Sequence, residues 1–185
     1  MSDDVARAND QAKSGPLLFL DVDGTLVPLD ATETFSSSKD WEAWQDSGNP
    51  RLAYIDPAHG PRLLALAVEL VWATGWMHDA NKVIAPLVGL PQLPVVELPQ
   101  WEGDYGADGL HWKTRVLVAL ADGRPFAWLD DELTEADRDW VARHHAGPAL
   151  LHRVEPGPGL TVRDLATVEA WLSSPEVAQL VRRPA

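Results

Sequence analysis

Leu17-Leu18-Phe19-Leu20-Asp21-Val22-Asp23-Gly24-Thr25-Leu26 is an apolar run of strand length that ends in two carboxylates, a glycine and a threonine. Side chains alternate along a strand, so Asp21 and Asp23 share a side if the strand carries on through them. Gly24 lets the chain leave the strand through a turn that residues with a Cβ tolerate poorly. The stretch therefore predicts a buried strand over 17–22 with two acids converging at its carboxyl end, the edge at which open α/β sheets bind ligands. Two carboxylates this close repel, and the arrangement calls for a cation or a raised pKa.

Outward from this stretch, strand-like and helix-like runs alternate. Val68–Ala73 reads as a second strand ending at Thr74-Gly75, Leu93–Leu98 as a third, Phe126–Leu129 as a fourth ending at Asp130-Asp131, and Ala149–Val154 as a fifth. Helices are predicted at about 60–67 with Pro61 in the first turn, at 78–88 closed by Gly89, at 111–121, at 134–145 and at 161–172. Thr134 with Asp137 three residues on has the form of a capping box. Residues 27–58 are irregular, with a short helix at 39–46, an extended arm at 51–55, and Trp41 and Trp44 placed either to close over a site or to seal the core. Alternation of this kind predicts one α/β domain over 16–185, a parallel sheet covered on both faces, preceded by a polar tail at 1–15.

Composition narrows the functional classes. The 185 residues carry 15 Lys and Arg against 28 Asp and Glu, a net charge of −13, which argues against unaided binding to nucleic acid or an anionic membrane. With no cysteine, disulfides, thiolate metal sites and cysteine nucleophiles are excluded, which fits a cytoplasmic setting. No apolar run has the length of a membrane span, and residues 1–15 lack the apolar core of a secretory signal. Nine tryptophans read mainly as packing, with some available to line a substrate mouth or stack bases.

In a parallel sheet, Asp21, Asp23, Thr74, Asp130 and Asp131 gather at one edge, joined by Lys113 at a helix start. Such a set suits phosphoryl transfer through a carboxylate nucleophile: one carboxylate attacks phosphorus, a second moves the proton, and a lysine and a hydroxyl hold the phosphoryl oxygens. Two unit charges 4 Å apart interact by about 4 kcal/mol at an effective dielectric of 20, so four crowded carboxylates without a cation would cost several times that, and Mg²⁺ prefers these oxygen ligands. The bland readings are a turn after a strand for Asp23-Gly24, a solvated lysine for Lys113 (with Lys82 as its competitor), helix-capping acids for Asp130-Asp131, and dipole contacts for His144-His145. His78 and Trp76 are rim candidates or packing. An EF-hand calcium loop fails, since the glycine stands fourth and Thr32 twelfth.

Asp21-Val22-Asp23-Gly24-Thr25, Leu70-Val71-Trp72-Ala73-Thr74-Gly75, His111-Trp112-Lys113-Thr114 and Phe126-Ala127-Trp128-Leu129-Asp130-Asp131 occur in this order over roughly 16–155. Together they resemble the four motifs of the haloacid dehalogenase (HAD) superfamily of phosphatases. The Val71–Trp76 and His78–Asn81 wording also resembles the phosphatase-like domain of Swiss Army Knife RNA-repair proteins. The resemblance implies a Rossmann-like sandwich with strand order 5-4-1-2-3. It further implies Asp21 as nucleophile and Asp23 as general acid and then base. Mg²⁺ would be held by Asp21, the carbonyl of Asp23 and Asp130, with Asp131 a further ligand or an outer partner, and phosphate by Thr74, Gly75 and Lys113. The gaps between motifs leave no room for a large cap, so a capless phosphatase acting on a phosphorylated substrate is expected, with 27–58 as a flap. A binding or regulatory protein on the same scaffold, or a nucleic-acid end-processing phosphatase, are the alternatives. Oligomeric state is not legible.

Overall fold

Leu17–Leu20 forms β1 and is buried at every position, as a central parallel strand must be when both faces are covered. The computed structural model describes residues 15–29, 44–99, 105–106 and 108–181. The tail expected at 1–15, apart from Gly15, the middle of the expected flap and Trp41 lie outside the described residues. Around β1 pair β2 (Glu69–Trp72) and β3 (Phe126–Asp130), and β4 (Ala149–Arg153) pairs on β3, all in parallel. The order across the sheet is β2-β1-β3-β4.

Alternation along the strands sorts the core into two layers. Leu18, Leu20, Leu70, Trp72, Ala127 and Leu129 face one cluster, while Leu17, Phe19, Val71, Ala73, Phe126 and Trp128 face the other. Helices α1 (His59–Ala65), α2 (Ala85–Val88, entered through a π-helical turn at Ala80–Ile84) and α5 (Val162–Leu172) bury Leu63, Val88 and Leu165 in the first layer. Helices α3 (Thr114–Ala121) and α4 (Glu135–His144) bury Leu117 and Val141 in the second. The result is the three-layer α/β/α arrangement the alternating pattern predicts. Among the described residues no helix is long and apolar enough to cross a membrane.

The fold departs from the sequence reading in two places and adds one element that the reading does not assign. Four strands form where five are expected: 93–98 makes a single parallel bridge, Val95 to Trp72, beside β2. Pro91, Pro94 and Pro99 punctuate this segment, and a proline has no N–H to give a ladder. The segment is held instead by Asn81, whose Oδ1 accepts from Leu93 N and Trp72 Nε1 and whose Nδ2 donates to Leu93 O. The extended arm expected at 51–55 is a 3₁₀ turn, Pro50–Tyr54, because Asn49 caps it by accepting from Arg51 N and Pro50 sits in its first turn. The chain beyond Ser174 resumes as a further helix, α6 (Pro175–Val181), since a proline opens a helix as readily as it breaks one.

Candidate active site

Backbone register brings the four motifs to one edge. Asp21 N donates to Leu129 O, which sets Asp21 level with Asp130, and Ala73 N donates to Leu20 O, which carries Thr74 to the same height on the other side. Past Asp21 the chain turns sharply: Val22 O accepts from Thr25, Leu26 and Val27 N, and Gly24 N donates to Val27 O. Gly24 holds φ +69°, and a Cβ there would lie 2.2 Å from the Asp131 carboxyl carbon. Glycine is thus required twice over, once by the backbone and once by the acid packed against it.

Lys113, just before α3, is buried and reaches across the strand ends. Its Nζ donates to Asp21 Oδ1 at 2.6 Å and to Asp130 Oδ2 at 2.8 Å. Asp130 is fixed from three sides, since Trp128 Nε1 also donates to Oδ2 (3.1 Å) and Glu132 N to Oδ1 (3.0 Å). Asp23 is buried nearby, and two indoles hold it: Trp44 Nε1 donates to Oδ1 at 2.6 Å and Trp76 Nε1 to Oδ2 at 2.8 Å. Thr74 is fully buried in the turn after β2, where its Oγ1 accepts from Trp76 N at 3.3 Å, and Gly75 follows it in that turn.

These positions settle several alternatives. Lys82 is exposed and pairs with Asp79 at 2.7 Å, so Lys113 is the lysine at this site. His78 pairs with Glu97 in solvent. His144 stacks on Trp140 with centroids 4.1 Å apart, and His145 lies against Phe126 and Arg124 O, both away from the acids. A cavity of about 280 Å³ touching Tyr54, His59, Arg62 and Thr161 is lined by none of the four aspartates.

The charge balance is uneven. Burial raises the Asp21 carboxyl well above its usual range, with Lys113 opposing and the other three aspartates adding to the rise. Asp130 is also penalised by burial, but Lys113, His111 and its hydrogen bonds outweigh that and hold it low. Burial disfavours the charged Lys113, yet Asp130 and Asp21 more than compensate and keep it an ammonium. Asp131 is pushed up to about 8 by burial and by Asp130 and Glu132. Asp23 rises to about 6, with burial the main cause and the two indole bonds pulling the other way.

One ammonium among four buried carboxyls leaves a deficit of positive charge. Oxygens of Asp21, Asp130 and Asp131 lie within 4.8 Å of one another, a spacing three ligands of one ion can adopt. The donor set is all carboxylate, which fits Mg²⁺, an ion that takes oxygen ligands and retains several waters. The Asp23 carboxyl does not join this group, which leaves its backbone carbonyl as the atom the family pattern would use.

Four residues at the site carry little signal in the sequence. Trp44 and Trp76 reach Asp23 across 21 and 53 residues. His111 is buried, takes the Lys113 N–H on Nδ1 at 3.3 Å and faces Glu132 Oε2 at 3.4 Å. Asp137 serves both α4 and the Lys113 segment: it accepts from His111 N and Thr114 Oγ1 as well as from Thr134. The sequence marks Trp44 and Trp76 as site or packing candidates and Thr134-x-x-Asp137 as a cap, but none of these signals shows that the residues meet at the acids.

With this sheet and this site edge, the chain is a HAD-fold protein. In solved structures it is similar to the HAD domain of effector protein Lem4 from Legionella pneumophila, at 12% identity and a TM-score of 0.50, covering 91% of this chain and 98% of that one. An inactive mutant of the same domain matches at 14% identity and a TM-score of 0.53, covering 91% and 97%. No protein-family model matches the chain, and no curated protein matches it.

Proposed function

We propose that the protein is a Mg²⁺-dependent phosphomonoester hydrolase working through an aspartyl-phosphate on Asp21. The observation that carries this reading is the convergence of Asp21, Asp130 and Asp131 around one point, with Lys113 bonded to the first two. No structural role accounts for so many buried acids, because burying like charges together opposes folding. The similarity to solved HAD domains supports the fold on which this reading is built.

Asp21, Asp130 and Asp131 would hold Mg²⁺, which when bound supplies the positive charge that a phosphoryl dianion needs beside these acids. Lys113 and the Thr74 hydroxyl, with the Gly75 amide, hold the equatorial phosphoryl oxygens. An Asp21 oxygen attacks phosphorus while the bond to the ester oxygen breaks, and Asp23 donates a proton to that departing oxygen. A water then attacks the phosphorus of the aspartyl-phosphate. Asp23 takes the water's proton, the bond to Asp21 breaks, and inorganic phosphate leaves. Lys113 also orients Asp21 before substrate arrives, since its bond to Oδ1 fixes the carboxyl plane.

The substrate is expected to be a phosphate on a large or exposed carrier, because the intervals between the motifs leave little chain for a cap. The test is hydrolysis of an aryl phosphate with Mg²⁺, with EDTA, and in Asp21→Asn. Activity that EDTA abolishes and that Asp21→Asn lacks supports the reading; full activity in that variant rejects it.

A further inference from the structure

Asp23 is held by two tryptophans from different parts of the chain. A tryptophan N–H can only donate, so each bond specifies an acceptor oxygen and a direction. Together they engage both oxygens of one buried carboxyl, at 2.6 and 2.8 Å, in the range of charge-assisted bonds. Their sources differ. Trp76 is buried in the turn that follows the Thr74-Gly75 slot, and its own backbone N–H is tied to Thr74 Oγ1. Trp44 is half-buried, packs against the core layer that includes Trp76, and has its carbonyl fixed by Asn49 Nδ2 at 2.9 Å. Two separate segments thus converge on one buried side chain and engage both of its oxygens.

Building on the phosphatase reading, we propose that Trp44 and Trp76 are positioning residues for proton transfer: the pair of indoles locks the Asp23 carboxyl in the orientation that delivers a proton to the leaving oxygen. Trp44, which comes from the segment between motifs one and two, is then part of the catalytic apparatus. Neither tryptophan touches the attack of Asp21 on phosphorus. Loss of either indole N–H should therefore slow esters whose leaving oxygen needs a proton and spare those whose leaving oxygen does not.

The experiment compares kcat/KM, which reports the first phosphoryl transfer, for an alkyl phosphate and for 2,4-dinitrophenyl phosphate. The full chain is used with Mg²⁺, as wild type, Asp23→Asn, Trp76→Phe and Trp44→Phe. Asp23→Asn sets the scale, an expected loss of roughly 10²-fold or more on the alkyl ester with little change on the aryl ester. Trp76→Phe and Trp44→Phe should show the same asymmetry at about 10-fold, since a misdirected acid retains part of its effect. Equal losses on both esters, or no loss on the alkyl ester, overturn the proposal while leaving the phosphatase reading intact. A wild type inert on both esters overturns both. Because Trp76 is buried and its variant can fail to fold, the indole N–H proton resonances of the wild type give a second measure. Two of them should move upfield and exchange faster in Asp23→Asn, and resonances unchanged in that variant also refute the lock.

Discussion

At the scale of single residues the site is governed by a few close approaches. Replacing Gly24 with alanine places a Cβ against the Asp131 carboxyl in a backbone conformation that L-residues resist. Gly24→Ala should cost more than about 1 kcal/mol and displace Asp131. A lowered thermal midpoint together with weakened Mg²⁺ binding by calorimetry is the expected result. Lys113 matters more. Lys113→Met removes the cation from two buried carboxylates, and breaking such a pair costs about 3–5 kcal/mol. Without the ammonium, Asp21, already raised by burial, is raised further, and Asp130 loses the main influence that holds it low. The penalty is then greatest at neutral pH and shrinks as pH falls and these acids take up protons. Urea denaturation of the variant at several pH values checks both the loss and its direction.

Elements are legible where their signals are local. Leu17–Leu20 reads as a strand because an apolar run flanked by Gly15-Pro16 and by acids has few other fates, and β3 reads the same way. Helix α4 announces itself by its Thr134-x-x-Asp137 opening and α5 by Thr161 at its start, and in both a capping box is formed, with Thr134 and Thr161 each accepting from the N–H three residues on. Thr161→Ala should cost about 1 kcal/mol, read as a shift in the denaturation midpoint. Asp164, the reciprocal member of that box, is opposed by burial, but the Thr161 hydroxyl and His152 hold its carboxyl below the usual value. A carboxyl lowered on folding stabilises above its unfolded pKa, and that contribution fades as pH falls through the folded one. Asp164→Asn should therefore flatten the acid limb of a stability–pH curve while shifting the neutral plateau down. What stays illegible depends on contacts between distant segments. Residues 93–98 have strand composition, but their prolines leave one bridge and an asparagine clamp. Nothing near Trp44 or Trp76 in the chain says that their indoles meet at Asp23, and only the assembled sheet edge brings them there.

Across the whole molecule, the balance of charge links stability to the site. A net charge of −13, with four carboxyls buried at one edge, makes the native state short of positive charge just where Lys113 stands among them. An ion that binds only the folded chain stabilises it by about 2.7 kcal/mol at 100 times its dissociation constant. For a domain of this size that corresponds to a rise of roughly 5–10 °C in the melting midpoint. Mg²⁺ should produce such a rise in a thermal melt, EDTA should reverse it, and Asp130→Asn should abolish it.

The bond from Asp21 N to Leu129 O has a genetic corollary. It fixes which residue of β3 stands opposite the first acid, and strand neighbours alternate between faces. A one-codon insertion or deletion within 126–129 would turn Asp130 to the wrong side of the sheet. The lysine would lose its second partner even if every strand still formed. Such an allele would look healthy by circular dichroism and by yield, yet be dead in any assay that depends on the acids, whereas in-frame length changes in loops away from this sheet edge would be forgiven.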